Sequence, residues 1–110
     1  MIENYDDLYA VVTSAIEAYS KQDDAVKIDF IKNENGTCEL KNKENGKKFV
    51  LMFARFGDEY KVGFALYEPD QYGGSKEPEW IEDIFNHEFD QSFAMTLITE
   101  HLTGSDNSDW

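Results

Sequence analysis

The residues closest to a catalytic motif lie at 87–91, where His-Glu-Phe-Asp-Gln begins like the helical motif of zinc proteases. That motif needs a second histidine one helical turn after the first, so that both rings bind one zinc ion. Gln91 occupies that position, so the motif is incomplete. Two histidines have carboxylates nearby in the sequence: His87 has Glu88 and Asp90, and His101 has Glu100. Either group could bind a metal ion only with further ligands from elsewhere in the chain. We therefore predict no metal site.

Other reactive groups give no stronger signal. Cys38 is the single cysteine and lies within an alternating apolar pattern, which is typical of a buried core thiol rather than a nucleophile. Gly73 and Gly74 form an isolated pair that lacks the further glycines and the lysine of a phosphate-binding loop. Carboxylates are abundant, but no pair stands out as a general acid and base. We predict a protein without enzymatic activity and without a cofactor.

The charge of the chain restricts its ligands. Its 110 residues include 23 acidic and 10 basic side chains, a formal net charge of −13. Such a protein is repelled by nucleic acid and by anionic membranes, so we expect neither as a direct ligand and consider a basic protein as the partner. The lone cysteine and the lack of a long apolar run predict a soluble, cytoplasmic protein. The alternative explanation of the acidity is solubility alone.

The elements that position these residues are organised around a β-hairpin at 49–67, which is rich in aromatic and β-branched residues. With Gly57 and Asp58 as the two loop residues, Phe53 pairs with Val62 and the two strands share one strongly apolar face. The opposite face carries small, apolar and charged residues, so we expect helices on the first face and thin cover on the second.

Two further strands and a helix precede this hairpin. Residues 4–20 have apolar side chains at helical spacing, with Asn4 as the N-cap. The glycine turns at 34–36 and 43–46 predict the pairs Phe30 with Leu40, Lys32 with Cys38, Leu40 with Phe49 and Cys38 with Leu51. The second turn also sets Lys41 opposite Lys48, a mild like-charge conflict.

A second helix is predicted after the polar loop 68–78. Ile81, Phe85, Phe89, Phe93 and Leu97 recur every four residues, and Gly104 would cap the helix end. Phe89 and Asp90 could instead begin a separate helix, so a break near 88–90 stays open. The predicted fold is an α+β two-layer sandwich of order α-β-β-β-β-α, with a four-stranded antiparallel meander and both helices on one face. Residues 1–104 form one domain, and 105–110 form a flexible acidic tail.

The acidic residues are unevenly distributed along the chain. Residues 25–61 contain eight basic and six acidic side chains, whereas residues 62–110 contain eleven acidic side chains and one lysine. Helices on one face of the sheet would then present one acidic surface, which could imitate a phosphate track and occupy a basic site. The predicted partner-binding residues are Glu68, Asp70, Tyr72, Glu77, Glu79, Glu82, Asp83, Glu88 and Asp90.

These observations predict a small acidic binding protein that blocks a basic, nucleic-acid-binding site on a partner. It could inhibit a nuclease or a DNA-binding defence system of bacteria or phages, or serve as the immunity protein of a nuclease toxin. The alternative is a structural module that forms a homodimer through the exposed sheet face, which includes Val50, Met52, Ala54 and Ala65. The first possibility predicts strong salt dependence of binding and the second predicts little.

Overall fold

The structure, a computed structural model, describes residues 2–23, 25–68, 78 and 80–103 of the chain. It is an α+β fold with a five-stranded antiparallel sheet. Its elements are α1 (Tyr5–Ser20), β1 (Ile28–Lys32), β2 (Cys38–Asn42), β3 (Lys48–Phe56), β4 (Glu59–Tyr67), β5 (Trp80–Phe85), a 3₁₀ turn (Asn86–Glu88), α2 (Gln91–Thr96) and a π-helical segment (Leu97–Leu102).

Helix α1 begins where the sequence predicts. The Asn4 side chain accepts a hydrogen bond of 2.8 Å from the backbone N–H of Asp7, and the Asp7 carboxylate accepts one of 2.9 Å from the N–H of Glu3. The first bond satisfies a backbone donor that the first helical turn leaves without an intrahelical partner, and the second ties the residue before the N-cap to that turn. The buried residues of α1 are Leu8, Val12, Ala15 and Tyr19, which lie on one side of the helix.

The first four strands pair as predicted, in the sequential order β1-β2-β3-β4. The register includes Phe53 opposite Val62 in the central hairpin and Leu40 opposite Phe49 between β2 and β3. The like-charged pair Lys41 and Lys48 is also present, and it is relieved because the Lys48 ammonium lies 3.7 Å from the Glu39 carboxylate.

The predicted four-stranded sheet and single C-terminal helix are corrected by the structure, because residues 80–85 form a fifth strand on the free edge of β4. Trp80 pairs with Leu66 and Ile84 pairs with Val62, so the inward side chains of β5 extend the apolar face. A spacing of four residues places Ile81 and Phe85 on one side of a strand as well as of a helix. That spacing therefore does not distinguish the two conformations.

The chain turns back after β5 and becomes helical only at α2. The Asp90 carboxylate accepts a hydrogen bond of 2.9 Å from the N–H of Phe93, which confirms the alternative in which Asp90 starts a separate helix. The last six described helical residues, Leu97–Leu102, follow the wider π spacing. The predicted cap at Gly104 and the predicted tail 105–110 lie outside the described residues.

The core lies between one face of the sheet and the helices. Gln91 in α2 donates a side-chain hydrogen bond of 3.2 Å to the backbone carbonyl of Ser14 in α1, which ties the two helices together. Buried side chains come from both layers, among them Leu8, Val12, Leu40, Phe49, Leu51, Val62, Phe64, Ile98 and Leu102. We call the helix-free surface of the sheet the open face, and the outer surface of residues 2–23 and 86–103 the helical side.

Two glycines test the backbone geometry of the turns. Gly36 has φ of +98°, and a Cβ atom there would lie 2.9 Å from the Tyr5 ring, whereas Gly57 has φ of +63° and open space around it. We expect Gly57→Ala to lower the free energy of unfolding by about 1 kcal/mol through backbone strain alone. Gly36→Ala should cost about 2–3 kcal/mol, because Tyr5 must also move. Urea unfolding measures both, and equal losses would contradict the steric contribution.

Candidate functional site

The open face carries the exposed apolar side chains of the protein. Side chains alternate along a strand, so the register decides which residues share this face. All five large hydrophobic residues that are exposed in the described part of the chain lie on it: Ile31, Met52, Phe56, Ile81 and Phe85. Ile81 is 69% exposed and Phe56 is 58% exposed. A cluster of exposed apolar residues on one surface indicates an interaction site.

A shallow depression of about 280 Å³ lies near the middle of the open face. Its lining includes Gly63 and Ala65 on β4, and Val50 and Met52 on the neighbouring strand β3. The absence of a side chain at Gly63 creates this space, since a Cβ atom there would lie 3.2 Å from the Met52 Cγ atom. Ile81 stands at the border of the depression on the side of β5.

The open face carries charges of both signs, and two of its lysines lie close to carboxylates of the same face. The Lys48 ammonium lies 3.7 Å from the Glu39 carboxylate, and the Lys61 ammonium lies 3.4 Å from that of Asp83. Lys61 also lies 5.1 Å from the centre of the Phe85 ring. Exposed ion pairs contribute little to stability, but they leave the face without a strong net charge.

The described members of the predicted partner-binding set lie on different elements and do not share one helical surface. Asp70, Tyr72, Glu77 and Glu79 lie outside the described residues. Glu82 and Asp83 are neighbours on strand β5 and therefore point to opposite faces of the sheet. Glu68, just after the end of β4, lies 3.6 Å from the ammonium of Lys47, just before the start of β3. Glu88 accepts a hydrogen bond of 3.3 Å from the N–H of Phe85, while Asp90 caps α2.

The helical side is the acidic part of the described surface. It carries eight carboxylates and one lysine, Lys21, whereas the sheet and its turns carry nine carboxylates and eight cations. All four ion pairs found among the described residues involve lysines of the sheet or its turns. Within the described ranges, the helical-side carboxylates therefore have no cationic partner within 4.0 Å.

The candidate reactive residues are separated from one another. Cys38 is buried, and burial together with the neighbouring Glu39 carboxylate raises the pKa of its thiol to about 12. The exposed His87 ring stacks on Phe85 with centroids 5.7 Å apart, and the His101 ring packs 4.6 Å from Trp80. The described residues contain no group of three histidine, cysteine or carboxylate side chains placed to hold a metal ion.

Two exposed residues of the open face, Ile81 and Phe85, were not predicted from the sequence to lie on it. Both were assigned to the core face of a helix, and only the pairing of β5 with β4 reveals their exposure. A signal for the face did exist in Ile31, which interrupts the apolar alternation of β1. Its side chain points to the open face, on the opposite side of the sheet from that of Phe30.

In the part of the chain that the structure describes, the fold is α+β with an antiparallel sheet that helices cover on one side only. Comparison with protein-family models, curated proteins and solved structures finds nothing that matches this chain. Among the helices of the described ranges, none combines the length and the apolar character needed to cross a bilayer.

Proposed function

We propose that this chain is a small acidic binding protein, without enzymatic activity, that covers a basic surface of a partner protein. The partner is a protein that uses this surface to hold nucleic acid, such as a nuclease or a DNA-binding defence protein. One observation carries the proposal: the described surface is divided into a charge-balanced sheet and an acidic helical side.

The electrostatic argument depends on the lack of local compensation. A carboxylate that already has a lysine neighbour attracts a second cation weakly, whereas carboxylates without one add their fields together. Within the described residues, the carboxylates of the helical side are of the type without a lysine partner. Its field attracts a basic protein from a distance and repels nucleic acid, so the protein competes with nucleic acid for the same basic site.

The contact residues extend beyond those predicted from the sequence. Asp6 and Glu17 lie on the outward stripe of α1, about 16 Å apart along the helix axis. Glu100 adds an exposed carboxylate from the C-terminal helical segment. Among the contact residues predicted from the sequence between 79 and 90, Glu82 and Glu88 are exposed and remain part of the proposed contact surface.

The test is retention of nucleic-acid-binding proteins from a lysate of the source cells on the immobilised chain. We expect a basic protein to be retained at ~0.1 M salt and released at ~1 M salt, because the Debye length falls from ~10 Å to ~3 Å. Added duplex DNA should release the same protein. The variant Asp6→Lys, Glu17→Lys, Glu100→Lys should lose this retention.

A matched control reverses three exposed carboxylates of the sheet turns and so has the same net charge as the first variant: Glu34→Lys, Glu44→Lys, Asp58→Lys. The control should retain the partner, since its substitutions lie in the turns of the sheet and not on the helical side. A third variant, Glu79→Lys, Glu82→Lys, Glu88→Lys, reports on the acidic residues predicted from the sequence. Equal retention by all forms, or retention that DNA does not affect, would refute the proposal.

A further inference from the structure

The open face is an exposed apolar surface, and its composition indicates which partner binds to it. In a two-fold dimer the same patch lies on both sides of the interface, so the patch must be complementary to itself. We infer that the open face binds the open face of a second copy of this chain. This surface is separate from the acidic helical side on which the proposed function rests.

The charges of the face favour a second copy over a strongly basic or acidic partner. Lys48 lies beside Glu39, and Lys61 lies beside Asp83. The third lysine of the face, Lys41, is opposite Asp29 in the register, so each of these cations has an anion as a neighbour on the same face. A patch with both signs can place its cations against the anions of an identical patch. A strongly charged partner would gain little from a face that is already neutralised.

On the open face, the exposed side chain of Ile81 lies next to the depression described above. Ile81 is 69% exposed, and it borders the depression lined by Gly63 and Ala65. When two identical faces meet about a two-fold axis, Ile81 of each copy can insert into the depression of the other copy. Insertion of an apolar side chain into a matching pocket is typical of the residues that dominate binding energy at interfaces.

The size of the face is sufficient for a weak but specific dimer. Five strands at ~4.8 Å spacing are ~24 Å across, and their mean length is ~22 Å, which gives ~500 Å² of projected area per copy. Two copies would bury ~1,000 Å² or more, close to the lower limit of specific interfaces. Stacking of the two sheets would also direct both acidic helical sides outward, where the repulsion between them is smallest.

Sedimentation equilibrium of the purified chain alone tests the inference. We expect a species of twice the 12.7 kDa chain mass at micromolar to submillimolar concentration. Ile81→Lys should raise the dissociation constant about 100-fold, because a symmetric interface contains the substituted residue twice. Rising salt should leave the dimer intact or strengthen it, since salt screens the repulsion between two acidic copies.

Ala10→Lys is the matched control, because it adds the same charge at an exposed position on the helical side. It should dimerise like the native chain. Circular dichroism checks that Ile81→Lys is folded, and Met52→Lys repeats the test on the neighbouring strand β3. A native chain that stays monomeric at submillimolar concentration, or folded Ile81→Lys and Met52→Lys variants that dimerise normally, would overturn the inference without affecting the partner test above.

Discussion

Phe49→Ala is expected to lower the free energy of unfolding by about 3–5 kcal/mol. Phe49 is completely buried on the helix-covered face of β3, and its ring packs edge-on against Phe64 and Trp80 at centroid distances of 6.3 and 6.2 Å. Phe49 also lies between Leu40 of β2 and Leu66 of β4, and these hydrogen-bonded strands cannot move together to close the cavity that the ring would leave. Urea unfolding followed by tryptophan fluorescence and circular dichroism measures the loss.

Phe56→Ala provides the control for this prediction. Phe56 is at the end of the same strand but is 58% exposed on the open face, so its loss should change the stability by less than about 0.5 kcal/mol. Both variants are compared at low micromolar concentration, where association contributes little. Similar losses for the two would contradict the assignment of the core to the helix-covered face.

The Cys38 thiol is expected to react with a disulfide reagent at pH 8 about 1,000-fold more slowly in the native protein than in the unfolded chain. Only the thiolate reacts, and the thiol pKa rises from 9.0 to about 12 on folding, which lowers the thiolate fraction by about three powers of ten. Burial of the sulfur slows the native reaction further. The rate is measured in buffer and in concentrated urea.

The pH dependence separates the two states in this experiment. The rate for the unfolded chain should rise until the pH is about one unit above the thiol pKa of 9.0 and then level off, because the thiol is then almost fully ionised. The native thiol keeps its proton until the pH approaches 12, so its rate should still be rising where the unfolded rate is flat. If the native protein were labelled as fast as the unfolded chain, Cys38 would be accessible to the reagent. Strand β2 would then not hold its side chain in the core.

The central hairpin could be predicted in detail because local signals agree there. Gly57 and Asp58 are the turn residues between β3 and β4, and the apolar alternation on both sides fits one register with a single apolar face. The positive φ angles of Gly36, Gly46 and Gly57 lie at the turns where glycine was expected. The same reasoning predicted thin cover on one face of the sheet, and the described residues leave five large hydrophobic side chains exposed there.

The fifth strand could not be predicted in this way. Ile81 and Phe85 are four residues apart, which is compatible with a helix and with a strand, so the free edge of β4 decides the conformation. That edge is a long-range feature that no local pattern contains. The candidate surfaces changed with it, since Glu82 and Asp83 moved from one helix face to the two faces of a strand. Of the acidic residues on the helical side, Glu88 and Asp90 were among those predicted as contacts, whereas Asp6, Glu17 and Glu100 were not.

The sequential order of the strands has a consequence for folding. Each strand pairs with its neighbour in sequence, and the first three connections are turns of two to five residues, so each hairpin closes a short loop at small entropic cost. The contact between α1 and α2 is different, because Ser14 and Gln91 are 77 residues apart. Contacts between distant residues form late when local ones are available. The sheet is therefore expected to assemble from the middle of the chain, with the two helices meeting last to close the core.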